Sequence, residues 1–277
     1  MFKKFRIKID DDTTKIFKIL KEKSKAYIVG GYIRDKLLEL QPKDCDFSTN
    51  LSLLEILDLF SDKKLFSTRV VSEKLNIVEI KFNNKKFEIA RLREDLEYYG
   101  KRKDFSFNFI DNIEMDLLRR DFTINSLAYD GENLIFADPK SLIDINERKI
   151  RFMGEAKKRI LEDPFRMLRM FRFFSEKSLL KIDEQALEAT KNSKDMIWNL
   201  STEMLREEFI KIVKGRNYLM TFKYINDIDF FNQKFYLSSY QEKYENRIKE
   251  LFKNSNFKLL EELNFSKKTI EKIKNYN

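Results

Sequence analysis

The sequence predicts an α/β first half followed by an all-α second half. Six glycines and three prolines among 277 residues leave few tight turns, which favours long helices over an all-β sandwich. Strand-like alternation of apolar residues is confined to the first half. Between Gly154 and Gly215 only Pro164 breaks the helical pattern. The chain is too long for one small core, and we therefore place a domain boundary at residue 153.

The first half alternates helices and strands. In order, the pattern predicts a helix at 13–24, a strand at 26–29, a helix from Gly30 to about Pro42, a strand at 44–48 and a helix at 51–60. Two alternating segments, 75–82 and 86–92, flank Asn83-Asn84, which suits a hairpin turn. The pattern then predicts a helix at 115–130, strands at 132–138 and 147–154, and helices from Ala156 onward.

Composition excludes several kinds of site. With no histidine, the chain has no Ser/His/Asp triad, no Cys/His pair and no histidine-ligated metal. The single cysteine, Cys45, excludes an intramolecular disulfide and fits a reducing compartment, so we expect a cytoplasmic protein. We expect neither secretion nor a membrane span, because no apolar run is long enough. A net charge of +9 suits a polyanionic partner.

Asp44 and Asp46 are the strongest metal-ligand candidates. Two residues apart in a strand, their carboxylates share one face and repel each other unless a cation lies between them. Mg²⁺ prefers one or two carboxylates together with phosphate oxygens. The alternative is a pair of surface aspartates beside a turn.

A glycine pair shortly before these aspartates suits a phosphate. Gly30 and Gly31 follow a strand and begin a helix, where free N–H groups and Arg34 can bind a triphosphate. The alternative is an ordinary turn at the start of a helix, with Arg34 exposed to solvent.

Two further motifs carry arginines. The first is RRDFTIN, from Arg119 to Asn125, and the second is EDPFRMLRMFRF, from Glu162 to Phe173. In the second motif, arginines at every third position sweep one broad helix face. The alternative for Asp163 is a helix cap, and we accept this role alongside a binding role. The alternative for the arginines is a solvated stripe over a core of Phe and Met side chains.

Together these motifs, from about Ala26 to Glu208, resemble the class II tRNA nucleotidyltransferase and bacterial poly(A) polymerase family. The resemblance implies a polymerase-beta-like nucleotidyltransferase head at 1–153, a helical neck at 154–214 and a short helical body at 215–277. It also implies template-independent addition of CCA to tRNA 3′ ends from CTP and ATP, with release of pyrophosphate.

The resemblance also assigns residues. Asp44 and Asp46 would hold two Mg²⁺ ions, and Glu88 would be a third catalytic carboxylate that deprotonates the primer hydroxyl. The alternative for Glu88 is an exposed charge in an edge strand. Asp163 and Arg166 would read the incoming base. The nucleotide would contact Gly30, Gly31, Arg34, Arg119, Arg120, Asp121, Asn125, Asp163, Arg166, Arg169 and Arg172.

The chemistry of Asp163 and Arg166 itself predicts base selectivity. A carboxylate acceptor beside a guanidinium donor complements the amino group and ring nitrogen of cytosine or adenine. Uracil and guanine present the reverse pattern, so we expect CTP and ATP to be accepted and UTP and GTP to be rejected.

Rival functions stay open at this point. They are A addition alone, CC addition alone, poly(A) synthesis and a noncatalytic RNA-binding module. Poly(A) polymerases usually carry a Gly-Arg-Arg-Phe-like stretch after the aspartates, and none occurs between Leu51 and Lys81. In the loop before RRDFTIN, where many relatives have Asp-Gly-Arg, this chain has Tyr99-Gly100-Lys101. We expect Lys267, Lys268 and Lys272 to contact RNA, unless they are an ordinary solvated helix face.

Overall fold

The computed structural model describes residues 2–4, 6–98, 105–177, 179–253 and 257–275. It divides into two compact units, 1–147 and 148–277. The division falls six residues before the boundary that the sequence predicts at 153, because a short strand at Lys149–Ile150 pairs with Lys181–Ile182 in the second unit. Residues 148–277 stay together as one unit.

The first unit is built on an eight-stranded sheet. Its strands are β1 (Phe2–Lys4), β2 (Ala26–Val29), β3 (Cys45–Thr49), β4 (Ser67–Ser72), β5 (Ile77–Phe82), β6 (Lys85–Arg91), β9 (Leu127–Tyr129) and β10 (Asn133–Phe136), while β7 (Arg93–Tyr98) and β8 (Phe105–Phe109) form a separate antiparallel pair. The spatial order is β1-β10-β9-β2-β3-β6-β5-β4. All neighbours in the sheet are antiparallel except β3 and β6, which are parallel.

Short helices accompany the sheet. They are α1 (Asp11–Lys23), α2 (Gly31–Leu37), α3 (Leu53–Leu59), α4 (Ile113–Leu118), a 3₁₀ turn at Thr123–Asn125 and α5 (Lys140–Asn146). Asp10 caps α1 by accepting from the Thr13 N–H at 3.1 Å. Ser52 and Glu55 form a reciprocal capping box at α3. These caps fix where each helix begins against the sheet.

The predicted helix at 115–130 is wrong beyond Leu118. The chain leaves α4 there, makes the 3₁₀ turn, and enters β9 at Leu127. Residues 127–129 are fully buried and pair with β2 on one side and β10 on the other, so a central place in the sheet overrides helical propensity.

Two apolar layers cover the sheet of the first unit. On one face Phe47 of β3 packs between the rings of Phe17 and Phe87. Another layer joins the sheet to α4 through Val29, Leu92, Ile113, Leu117, Ala128 and Ile135. The helix α4 is thereby held against strands β2, β9 and β10.

The second unit is helical, apart from β11 (Lys149–Ile150) and β12 (Lys181–Ile182). Its helices are α6 (Ala156–Glu162), α7 (Phe165–Glu176), α8 (Glu184–Ser193), a 3₁₀ segment at Lys194–Asn199, α9 (Thr202–Lys214), α10 (Tyr218–Asp227), α11 (Tyr244–Leu251), α12 (Lys258–Glu262) and α13 (Lys267–Lys274). The ring of Phe209 on α9 lies at the centre of an aromatic core with Phe222, Phe231, Phe235, Phe252 and Phe265.

Helices α7 and α9 pack closely where α9 ends. A side chain at Gly215 would place its Cβ 2.0 Å from Ser175 Oγ, so only glycine fits this position. The predicted fold class, an α/β head followed by an all-α part, is confirmed. Across the described residues, no helix is both long enough and apolar enough to cross a membrane.

Candidate active site

Asp46 lies in β3, and Asp44 lies just before that strand. Cys45 and Phe47 point into the core, so the alternation of β3 puts both carboxylates on the other side. Burial raises the pKa of Asp46, and the nearby Asp44 charge raises it further. Arg120 and Arg34 act in the opposite direction without cancelling the rise. Asp46 therefore lies among two cations and a second carboxylate.

Glu88 lies directly beside Asp46 in the strand register. Its strand, β6, runs between β3 and β5, so Glu88 does not lie on an edge strand, although its side chain is exposed as that alternative expects. Partial burial raises the pKa of Glu88, and the charges of Asp46, Glu79 and Asp44 raise it further. Three other carboxylates thus repel the charge of Glu88 on this part of the sheet.

These carboxylates suit a magnesium ion that also binds substrate oxygens. In the described part of the chain, no three acidic or cysteine side chains already converge as a set of metal ligands. Mg²⁺ needs only one or two protein carboxylates when phosphates and water supply its other ligands. A cation would also relieve the repulsion between Asp44 and Asp46, which adds to the rise that burial causes in the pKa of Asp46.

Gly30 and Arg34 follow the end of β2, and Arg34 lies near the carboxylate of Asp46. Gly30 has a positive φ of 62°, and a Cβ there would lie 2.9 Å from Nη1 of Arg120. The absence of a side chain lets that guanidinium approach the backbone. Arg34 is buried; its Nη1 donates to Oδ1 of Asn125 at 2.6 Å and its Nε to Asp35 at 2.8 Å.

The RRDFTIN motif is held by a buried carboxylate that the sequence analysis missed. Asp116 on α4 is fully buried; Nη2 of Arg119 lies 2.7 Å from its Oδ1, and Nη2 of Arg120 lies 3.0 Å from its Oδ2. Burial opposes ionisation, but the two guanidinium charges outweigh it and lower the pKa of Asp116. The i, i+3 and i, i+4 spacing was the signal that could have identified this residue.

Asp121 and Asn125 extend the same network. The Nδ2 of Asn125 donates to Oδ1 of Asp121 at 2.8 Å, and the backbone N–H of Phe122 donates to the same oxygen at 2.9 Å. Since Asn125 also accepts from Arg34, the motif and the start of α2 form one polar network in the first unit. Seven of the predicted site residues are thus neighbours in the first unit: Asp46, Glu88, Gly30, Arg34, Arg120, Asp121 and Asn125.

In the second unit, Asp163 both caps a helix and precedes an anchored arginine. The backbone of Asp163 is extended, and its Oδ1 accepts from the N–H of Phe165 at 3.1 Å, as the capping interpretation expects. Arg166 is buried, and its Nη1 donates to the Arg159 carbonyl at 2.8 Å and to Oε2 of Glu162 at 2.7 Å.

Glu162 was missed as a positioning residue. Its Oε2 also accepts from Nη1 of Arg159 at 2.6 Å, so one carboxylate joins two arginines across the junction of α6 and α7. Its place three residues after Arg159 and four before Arg166 was the available sequence signal.

The remaining predicted contacts lie farther along the helices of the second unit. Arg169 and Arg172 both lie over the ring of Phe173, at 5.1 and 4.5 Å from its centre, and Arg172 pairs with Glu208 of α9 at 3.0 Å. Lys267, Lys268 and Lys272 are exposed on α13. The departure at Tyr99-Gly100-Lys101 lies outside the described residues.

Residues 26–151 match the family model of the poly A polymerase head domain. This segment belongs to the poly A polymerase head domain family. The resemblance that the motifs indicate is therefore confirmed. The head-domain match includes the aspartate pair, Glu88, the glycine pair and the RRDFTIN motif.

Curated relatives of this chain include proteins named CCA-adding enzyme. One from Lactobacillus delbrueckii subsp. bulgaricus is 33% identical over 198 residues, which cover 72% of this chain and 48% of that enzyme. One from Staphylococcus aureus is 32% identical over 207 residues, covering 75% of this chain and 50% of that enzyme. The chain thus spans about half the length of the curated relatives it matches.

Solved structures share the head domain and the fold around it. The Bacillus stearothermophilus CCA-adding enzyme in complex with CTP aligns with a TM-score of 0.69 at 25% identity, covering 80% of this chain and 53% of that one. The Thermotoga maritima CCA-adding enzyme complexed with tRNA aligns with a TM-score of 0.73 at 19% identity, covering 99% of this chain and 72% of that one. The latter likeness is one of fold.

Proposed function

We propose that this protein adds C and A residues from CTP and ATP to the 3′ ends of tRNA, without a nucleic acid template and with release of pyrophosphate. The observation that carries the proposal is the face of the head sheet on which Asp46 and Glu88 lie side by side with the charges of Arg34 and Arg120 close by. The similarity to CCA-adding enzymes over about 200 residues supports this acceptor and these nucleotides.

The residues of the head would orient the triphosphate. The glycines at 30 and 31 let the guanidinium groups of Arg120 and Arg34 lie against the backbone at the start of α2, where both supply charge for a phosphate. Their guanidinium groups are already fixed by Asn125 and Asp116, so little reorganisation is needed when the nucleotide binds. Arg119, Asp121 and Asn125 complete this side of the site.

We assign Asp44 and Asp46 as the ligands of two Mg²⁺ ions. Nucleotidyltransferases of this family are generally metal-dependent. Ions held by these two carboxylates would supply Lewis acidity that lowers the pKa of the primer hydroxyl and positive charge that neutralises the leaving pyrophosphate. Glu88 would accept the proton of that hydroxyl, and its raised pKa makes it a stronger base than an ordinary glutamate.

Asp163 and Arg166 would select the base. The carboxylate accepts from the amino group of cytosine or adenine, while the guanidinium donates to the adjacent ring nitrogen. The bonds from Arg166 to Glu162 and the Arg159 carbonyl fix one side of its guanidinium before the nucleotide arrives. Arg169 and Arg172 add positive charge on the same helix. We place the reaction in the cytoplasm, where the buried thiol of Cys45 stays reduced.

The proposal is tested by incubating the protein with Mg²⁺, CTP and ATP and three acceptors: tRNA lacking CCA, tRNA ending in CC, and a generic RNA. We expect three residues to be added to the first acceptor, one to the second and none to the third. Addition only to the CC-ending tRNA would identify an A-adding enzyme, and two residues on the first acceptor would identify CC addition. A long tract on generic RNA would identify a poly(A) polymerase.

The metal assignment is tested in the same assay. Asp44→Ala and Asp46→Ala should each abolish addition in a folded protein, because each removes one of the two carboxylates assigned to the metal ions. Magnesium-dependent addition at the wild-type rate by either variant would contradict the assignment. If the wild type adds nothing to any acceptor but binds tRNA, the result favours a noncatalytic RNA-binding module.

A further inference from the structure

A groove in the second unit combines aromatic rings with lysines. It is lined by Trp198 at the end of the 3₁₀ segment, by residues 231–236 after α10, by Lys253 and by residues of α12. Its cavity has a volume of about 700 Å³, within the range of small-ligand sites. We name it the Trp198 groove.

Two aromatic side chains of the groove are open to a ligand. Trp198, the only tryptophan of the chain, is half-buried, and Tyr236 is 43% exposed. Nucleic acid bases stack on such rings, and each stacked base contributes about 1–3 kcal/mol. The Nζ of Lys253 lies 5.6 Å from the centre of the Tyr236 ring, so a cation accompanies this platform.

The charge of the groove suits a phosphate backbone. Lys234, Lys253 and Lys258 line it with one acidic residue, Glu262, whose carboxylate lies 3.3 Å from Lys258. A surface of this composition attracts a polyanion, and the rings favour RNA over an acidic peptide.

The groove also contains a buried polar atom that has no partner in the described part of the protein. This atom is Nε2 of Gln233. A buried donor left without an acceptor costs about 1–3 kcal/mol, and a ligand acceptor would remove this cost once the Gln233 side chain turns toward the groove. Base carbonyls and phosphate oxygens are both acceptors of the required kind.

The loop that carries these groups is fixed in place. Asn226 at the end of α10 binds the backbone of Phe235 twice, accepting from its N–H and donating to its carbonyl, both at 2.9 Å. The N–H of Tyr236 donates to the carbonyl of Leu251 at 3.0 Å. The platform therefore exists before any ligand binds, which lowers the entropic cost of binding.

We propose that the Trp198 groove binds an unpaired RNA nucleotide, with its base on Trp198 or Tyr236, its phosphates near Lys253 and Lys258, and an acceptor atom on Gln233. The identification of this RNA as the acceptor strand rests on the proposed function. RNA binding by the groove does not rest on that function, because binding needs no catalysis.

Binding is measured on the full chain without CTP, ATP or Mg²⁺, using a single-stranded oligocytidylate of about eight nucleotides. The fluorescence of Trp198 should be quenched as the oligonucleotide binds. Trp198→Ala should weaken binding of the labelled oligonucleotide about 5- to 100-fold, while Trp198→Phe, which retains a ring, should weaken it less. Melting curves identify any variant that fails to fold, and Trp198→Phe then carries the test.

Lysine variants and a modified ligand test the two parts of the proposal separately. Lys253→Ala and Lys258→Ala should each reduce the slope of log affinity against log salt by about 0.7, whereas Lys191→Ala on the exposed face of α8 should leave it unchanged. An abasic ribose-phosphate chain of the same length should bind less tightly than the oligocytidylate.

Unquenched Trp198 fluorescence at saturating RNA would overturn the proposal. So would equal affinity for the abasic chain, since that would leave only a non-specific attraction of charges. If the wild-type protein binds the oligonucleotide but adds no nucleotides to tRNA, the proposed function is contradicted and the groove assignment stands. Normal addition by Trp198→Ala with unchanged RNA affinity would contradict the groove assignment alone.

Discussion

Glu88 and Glu79 are neighbouring carboxylates with different surroundings. The register pairs Glu88 with Asp46 on one side and with Glu79 on the other. Partial burial opposes ionisation of both carboxyls, but Arg69 and Lys86 lower the pKa of Glu79, whereas the charges of Asp46, Glu79 and Asp44 raise that of Glu88. Only Glu88 therefore has the environment of a base.

Glu88→Gln should lower kcat for nucleotide addition about 10²-fold, the smaller end of the effect of losing a general base. Glu79→Gln is the matched control and should leave kcat near the wild-type value. As pH falls, protonation of Glu88 and of Asp46, whose pKa is also raised, should lower the wild-type rate, and the Gln variant should keep only the fall that Asp46 causes. Equal kcat values for wild type and Glu88→Gln would remove Glu88 from the mechanism.

Asp163 has two roles that substitutions can separate. Asp163→Asn retains an oxygen for the Phe165 N–H, so the helix cap and the melting temperature should be preserved, while an added N–H donor now matches uracil. UTP incorporation relative to CTP should therefore rise. Asp163→Ala should raise the same ratio and also lower stability by about 1 kcal/mol.

The two substitutions at Asp163 are compared by a melting curve and by single-nucleotide incorporation assays. If Asp163 is only a cap, Asp163→Ala lowers the melting temperature and the UTP to CTP ratio stays at its wild-type value in both variants. That result would contradict base selection by this residue.

At the scale of elements, helix α13 presents lysines on one side and apolar residues on the other. Ile270 and Ile273 are buried, while Lys267, Lys268 and Lys272 are exposed. Deletion of all residues after Phe265 removes both sides, so a charge-only change is the sharper test of RNA binding. The variant in which these three lysines are alanine keeps the buried side of the helix.

This triple variant should bind tRNA more weakly, and the slope of log affinity against log salt should fall by about 2 to 3, or about 0.7–0.9 per phosphate contact. Replacement of Lys18, Lys21 and Lys23 on α1 removes the same charge from the first unit and is the control. If both triple variants lose affinity equally, the lysines act only through net charge. An unchanged affinity of the α13 variant would remove the helix from the RNA-binding surface.

At the scale of the whole molecule, Asp116 links stability to pH. Burial raises its pKa and the guanidinium groups of Arg119 and Arg120 lower it, and the lowering is the larger effect. As pH falls, the carboxyl of Asp116 is protonated in the unfolded chain before it is protonated in the folded protein. The stability that Asp116 contributes is therefore full above its ordinary pKa of 3.8 and is lost as pH falls through the lower value of the folded state.

Asp116→Asn should destabilise the protein by about 3–5 kcal/mol at pH 7, because it removes a fully buried charge that two partly buried guanidinium groups need as a partner. Denaturant unfolding at several pH values should show this difference narrowing below about pH 4. Asp58→Asn, at an exposed position of α3, is the control and should change stability little. A difference that stays constant across the pH range would show that Asp116 acts through hydrogen bonding rather than through its charge.

Local pattern was sufficient for the segments whose burial is one-sided. The alternation of 75–82 and 86–92 around Asn83-Asn84 predicted the β5 and β6 hairpin, and both asparagines have positive φ as such turns require. The pattern failed at 115–130, where apolar residues of β9 resemble a helix face. A strand buried on both sides has no alternation to distinguish it.

What the sequence determined by itself is the class of fold and the chemistry of the residue types. The absence of histidine, the spacing of Asp44 and Asp46 and the arginine motifs follow from residue order alone. Tertiary structure decided which of these groups meet. Sheet order placed Glu88 beside Asp46 although 42 positions separate them in the chain, and burial of α4 made Asp116 the anchor of two arginines. Register and burial depend on contacts between distant segments, which local periodicity does not encode.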